Sequence, residues 1–233
     1  MLSARERLIV ALDVPTPAEA TTLVDRLAGL AGMFKVGSQL FTAAGPDLVR
    51  GLVARGEKVF LDLKYHDIPN TVAGAVSAAC RLGVSLVDVH ALGGKAMMEA
   101  AVGAMPAMGA RLLAVTVLTS HDAAGLDELG VTGEVTDNVR RLARLAYAAE
   151  VDGVVASPHE VPIVREACGK DFLVVTPGIR PAGARAGDQA RAATPAAALK
   201  AGADLLVVGR PIIEAPDPAA AARAILREME GAA

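Results

Sequence analysis

The stretch Lys58-Val59-Phe60-Leu61-Asp62-Leu63-Lys64-Tyr65-His66-Asp67 decides the fold. It opens as an apolar run and ends in charge. In a strand, successive side chains point to opposite faces, so Asp62 and Lys64 project together while Leu61 and Leu63 face the other way. A strand that is apolar along its length but carries an anion and a cation on one face at its C-terminal end fits a sheet covered by helices with a polar mouth. Working outward, comparable runs recur at residues 8–14, 33–37, 85–91, 112–119, 153–157, 172–177 and 204–209, which with 58–64 makes eight. Between them lie apolar residues at helical spacing, as in Ala20, Leu23, Val24 and Leu27, or Val139, Leu142, Leu145 and Ala146. Thr16-Pro17, Ser157-Pro158 and Asp217-Pro218 mark expected helix starts.

Strict alternation of strand and helix gives either a closed barrel or an open doubly wound sheet. Eight strands favour the barrel, and no Gly-x-Gly-x-x-Gly follows the first strand to support a dinucleotide-binding sheet. The expected architecture is a (β/α)8 TIM barrel, a single domain over residues 1–233. The composition agrees: 53% of residues are hydrophobic, but only 3% are aromatic and Trp is absent, so Val, Leu, Ile and Ala must build the core. A net charge of −3 with no basic block argues against nucleic acid as a partner. The two cysteines, Cys80 and Cys168, are too few for a disulfide framework or a Cys-based zinc site and suit a reducing cytoplasm. Neither a signal peptide nor a membrane span is expected, because the apolar run 8–12 is short and stops at Asp13.

Sites in this fold lie at the C-terminal ends of the strands. There the sequence supplies Asp13, Lys35, the Asp62/Lys64 pair, Asp88 with His90, Thr119, Ser157, Pro177-Gly178 and Gly209-Arg210. Buried charges are costly unless paired, and Asp13 and Lys35 on neighbouring strands are available partners for Asp62 and Lys64. This pattern admits two readings: a structural ion-pair network closing the barrel top, or a catalytic charge array. His66 reads as a loop hydrogen-bonding residue, His90 as either packing or lining the site, and His121 and His159 as solvated. No His-x-x-x-His or carboxylate-rich cluster indicates a transition metal, although Asp62, Asp67 and Asp88 are of a type that can hold Mg²⁺. Arg210 beside Gly209 fits a phosphate site, since glycine permits close backbone approach and arginine offers paired donors. The Gly-, Pro- and Arg-rich segment 180–191 follows the seventh strand, where this fold often binds phosphate, and is expected to be a mobile lid.

The segment Asp62-Leu-Lys64-Tyr-His-Asp67-Ile68-Pro-Asn70-Thr71 resembles the signature of the orotidine 5′-phosphate decarboxylase family. Leu8-Ile-Val-Ala-Leu-Asp13, Phe34-Lys35-Val-Gly37, Val115-Thr-Val-Leu-Thr119-Ser120, Val175-Thr-Pro177-Gly-Ile-Arg180-Pro181 and Val207-Val-Gly209-Arg210 also resemble family segments, in family order, so the resemblance spans essentially the whole chain. It implies decarboxylation of orotidine 5′-monophosphate to uridine 5′-monophosphate (UMP), the last step of de novo UMP biosynthesis, with no metal and no organic cofactor. It implies an array of Lys35, Asp62, Lys64 and Asp67, with Lys64 as proton donor. It further implies a homodimer in which Asp67, Ile68 and Thr71 reach the other subunit's site. Asp13 and Lys35 would hold the ribose, Ser157 and the backbone at Pro177 the pyrimidine, and Thr119 would lie near the nucleotide. Arg180, Gln189, Gly209 and Arg210 would bind or cover the phosphate.

Overall fold

A computed structural model describes residues 2–181 and 193–232. Eight parallel strands close in sequence order: β1 (Leu8–Ala11), β2 (Met33–Gly37), β3 (Val59–Tyr65), β4 (Leu86–His90), β5 (Arg111–Val115), β6 (Gly153–Val155), β7 (Leu173–Thr176) and β8 (Leu205–Val208). Closure comes from β8 pairing with β1, with Leu8 opposite Leu206 and Val10 opposite Val208. Each expected strand is present. The ends shorten, β1 stopping at Ala11 and β5 at Val115, because pairing needs a neighbour at every step and the upper ends splay into loops.

The period of two sorts the side chains into two cores. Ile9, Ala11, Met33, Phe60, Leu86, Leu113, Val175, Leu205 and Val207 fill the barrel interior. Their sequence neighbours, among them Leu8, Val10, Phe34, Val36, Leu61, Val87 and Val208, face the surrounding helices and join a larger cluster there. Leu61 and Leu63 lie on that outer side, as the alternation requires. Gly153 on β6 marks a tight approach, since a Cβ there would stand 2.2 Å from the Leu173 carbonyl oxygen of β7.

The helices start where the sequence provides caps. The Thr16 side chain accepts from the Glu19 amide ahead of Pro17–Arg26, and Asp217 accepts from the Ala219 and Ala220 amides ahead of Pro218–Glu230. The expected start at Ser157-Pro158 is not used. Glu160 closes a turn back onto Ser157, donating its own N–H to the Ser157 carbonyl at 3.0 Å and accepting the Ser157 amide on Oε2 at 3.0 Å. The helix begins after that turn, at Val161–Cys168, with Pro162 in its first turn.

The N-terminal end of the barrel is held by side chains that cap strand amides. Asp152 Oδ2 accepts the Leu112 amide at 2.7 Å, and Asp204 Oδ2 accepts the Val174 amide at 2.7 Å. Arg165 joins these ends: it pairs with Asp204 at 2.6 Å and donates to the Gly202 carbonyl at 2.7 Å and to the Phe172 carbonyl at 2.5 Å. Removing it leaves Asp204 without its cation and takes a donor from the Gly202 and Phe172 carbonyls, so Arg165→Ala is expected to cost about 2–3 kcal/mol in urea unfolding. A loss below about 0.5 kcal/mol, the usual range for surface substitutions, would contradict this bracing role.

Candidate active site

The inward rows change character as they rise toward the C-terminal mouth. On β3 the row runs Phe60, Asp62, Lys64; on β2, Met33, Lys35; on β1, Ile9 and Ala11, then Asp13 just beyond the strand. Apolar side chains plug the lower barrel, and the charged ones line a cavity of about 240 Å³ above them.

There the charges interleave. Lys35 Nζ lies 3.1 Å from Asp13 Oδ1 and 3.2 Å from Asp62 Oδ2, while Lys64 Nζ is paired with Asp62 Oδ1. Asp62 therefore sits between two ammonium groups, one on each oxygen. Burial by itself pushes the Asp62 carboxyl upward, but Lys35 and Lys64 outweigh it and hold the group down at about 2. For Lys35, burial pulls downward and the charges of Asp62 and Asp13 more than compensate, leaving it above the usual lysine value. Both groups are thus ionised at neutral pH. The backbone makes room for this cluster. A Cβ at Gly37 would stand 3.1 Å from Lys35 Nζ, closer than an ordinary contact.

Lys64 has an unusual backbone, with φ at 50°, a value L-residues rarely adopt. The β3–β4 ladder shifts register at this place, passing from Leu61 opposite Val87 to Tyr65 opposite Val89. Four steps along β3 are matched by two along β4, so β3 bulges and lifts Lys64 over the cavity, where its side chain is 34% exposed. The Lys64 amide, displaced from the ladder, donates to Asp88 Oδ1 at 2.8 Å. Asp88 is fully buried; that burial first, and the adjacent charge of Asp62 second, push its carboxyl well above the usual range.

Most residues expected at the site line this one cavity: Asp13, Lys35, Asp62, Lys64, Thr119, Ser157, Pro177, Arg180, Gly209 and Arg210. The Ser157 hydroxyl is buried without a hydrogen-bond partner among the described residues. Asp67, Ile68 and Thr71 are not part of the cavity lining of their own chain. They are exposed where Pro69–Cys80 begins; Ile68 is 66% exposed, and the Asp67 carboxylate accepts the Ile68 amide at 2.6 Å. Gln189 and nearly all of the expected 180–191 lid lie outside the described residues. His90 is not among the residues lining the cavity; its ring packs against His66 with centroids 5.5 Å apart, and burial lowers its pKa. Sequence reasoning left Asp88 without a role in the charge array. Its one signal was a carboxylate between Leu86 and His90 in an inward row. Among the described residues no group of three or more His, Cys, Asp or Glu side chains is arranged to hold a metal ion.

A sequence model of the orotidine 5′-phosphate decarboxylase / HUMPS family matches residues 6–225. The chain belongs to this family. It is 56% identical to orotidine 5′-phosphate decarboxylase of Moorella thermoacetica, over 98% of this chain and 94% of that protein. It is 59% identical to the protein of the same name in Halorhodospira halophila, over 97% of each. Among solved structures, orotidine 5′-phosphate decarboxylase of Lactobacillus acidophilus superposes with a TM-score of 0.84 at 41% identity, over 95% of this chain and 98% of that one. The family thus matches the chain across the barrel, including every strand that contributes to the charged mouth. No helix among the described residues is long and apolar enough to cross a membrane.

Proposed function

We propose that this family member decarboxylates orotidine 5′-monophosphate to UMP and CO2, the last step of de novo UMP biosynthesis, and does so without metal or organic cofactor. The observation that carries the reading is the interleaved array at the mouth, in which Asp62 is held between Lys35 and Lys64 above an apolar plug.

The chemistry needs such an array. Breaking the bond between ring carbon C6 and the carboxylate leaves its electron pair on C6, where no adjacent group delocalises it. Fixed charge must replace the missing electron sink. The Lys64 ammonium stabilises the developing carbanion and then delivers its proton to C6, regaining one from solvent after product leaves. Asp62 lies beside the departing carboxylate, and their repulsion disappears as CO2 becomes neutral. The total stabilisation required is large, about 20 kcal/mol. Asp13 and Lys35 hold the ribose hydroxyls. The buried Ser157 hydroxyl and the backbone at Pro177 read the pyrimidine edge, with Thr119 nearby. Arg180, Gln189, Gly209 and Arg210 hold the phosphate, and the 180–191 segment closes over it. Phosphate binding far from the bond being broken then contributes to the rate by driving closure.

The homodimer belongs to this reading. Asp67, Ile68 and Thr71 are exposed outside their own chain's cavity, and in a symmetric pair they complete the neighbour's site. The direct test follows orotidine 5′-monophosphate absorbance with purified protein in excess EDTA. Rapid loss of the orotate signal is expected, at the same rate with and without added Mg²⁺. Binding of UMP with no turnover of the carboxylated nucleotide would refute the reading.

A further inference from the structure

Among the described residues, Asp88 is the one carboxyl group in the cavity with no exposed surface. It projects inward from the middle of β4, between the interior Leu86 and the His90 ring. Its Oδ1 accepts the Lys64 amide at the break in the β3–β4 ladder. Without that acceptor the Lys64 N–H has lost its ladder partner at a residue already held at φ 50°. Its Oδ2 is equally buried and meets no N–H or O–H donor among the described residues. The charged neighbour that bears most on Asp88 is Asp62, a second carboxyl placed to share a hydrogen bond with it once one of the two is protonated. Two carboxyl oxygens in such contact need a proton between them. Asp62 has an ammonium group on each oxygen, so the ionised member of the pair is Asp62 and the proton belongs to Asp88.

We propose that Asp88 is a positioning residue for the decarboxylation, a neutral acid whose Oδ1 fixes the Lys64 backbone and whose Oδ2–H donates to Asp62. It acts through its neighbours: one oxygen holds the bulge that aims the Lys64 ammonium, and the other sets the orientation of the carboxylate between the two lysines. The buried environment of Asp88 and the negative charge of Asp62 both favour the protonated form, while the hydrogen bond from Asp88 helps keep Asp62 ionised. This inference rests on the proposed activity for its kinetic arm and is independent of it for its spectroscopic arm.

An asparagine reproduces a neutral carboxyl in this setting, its carbonyl toward Lys64 and its amide toward Asp62; a leucine of similar size reproduces neither contact. Asp88→Leu is expected to lower kcat about 100-fold with KM within about threefold, because the array is misaimed while the nucleotide contacts remain. Asp88→Asn is expected to rescue kcat to within about fivefold of the wild-type enzyme. Infrared spectroscopy of the wild-type protein at neutral pH is expected to show the carbonyl stretch of a protonated buried carboxyl, missing from Asp88→Asn. A full kcat in Asp88→Leu, or an Asp88→Asn variant as slow as Asp88→Leu, overturns the proposal. So does a wild-type spectrum without the protonated-carboxyl band, which decides the matter even if the leucine variant does not fold. Wild-type protein that shows the band but leaves orotidine 5′-monophosphate intact counts against the activity and, with nothing for Asp88 to position, against its kinetic role, while the neutral Asp88–Asp62 pair stands.

Discussion

Replacing Lys64 with alanine is expected to lower kcat by about 10⁵-fold, with the barrel still folded. Two losses combine. Removing a preorganised charge from the developing carbanion costs about 10²–10³ in rate. Losing the positioned proton donor costs about 10²–10⁴ more. Together they correspond to about 7 kcal/mol of transition-state stabilisation, a large share of what the reaction demands. Stability should change far less. The Lys64 side chain is one-third exposed, and Asp62 keeps Lys35 on its other oxygen when Lys64 is gone. A partly solvated pair of this kind contributes about 1 kcal/mol or less. The measurement is single-turnover decay of orotidine 5′-monophosphate beside a thermal melt. A variant that melts normally and still turns over within about tenfold of the parent would remove Lys64 from the chemistry.

The second large effect is complementation between two inactive chains. Asp62→Ala strips the carboxylate from between Lys35 and Lys64, and Asp67→Ala removes the group that the dimer reading sends to the neighbouring site. Each variant alone is expected to be nearly inactive. Mixed and allowed to exchange subunits, they form hybrid dimers in which one site carries both lesions and the other carries neither. Random exchange makes half of the dimers hybrid, and half of their sites intact, so activity should return to about one quarter of the parent level. Native mass spectrometry verifies the exchange. Hybrids demonstrably present without recovered activity would show that each chain completes its own site and that the exposed Asp67–Thr71 segment has another task.

Particular residues show how far a linear reading reached. All eight strands were legible because each is a short apolar run bounded by helical patterns. The common direction of Asp62 and Lys64 was legible because strand periodicity is local, needing no knowledge of the neighbours. Asp88 was visible as a strand-four carboxylate, but its function depends on β3 slipping against β4, and a register break leaves no local signature. The expected helix start at Ser157-Pro158 failed for a related reason: Glu160 hydrogen-bonds back to Ser157, and that turn competes with the helix a proline would otherwise open.

By itself, the sequence determined the alternation of elements, the apolar lower barrel and the membership of Asp13, Lys35, Asp62 and Lys64 in a charged rim, because these follow from side-chain type at a fixed spacing. Only the tertiary structure decided which charge neutralises which. Lys35 bridges Asp13 and Asp62 because β1, β2 and β3 lie side by side, and Asp88 receives the Lys64 amide because β4 closes against the bulge. Coulombic interaction falls with separation and rises with burial, and both quantities exist only once distant strands are brought together around a common axis.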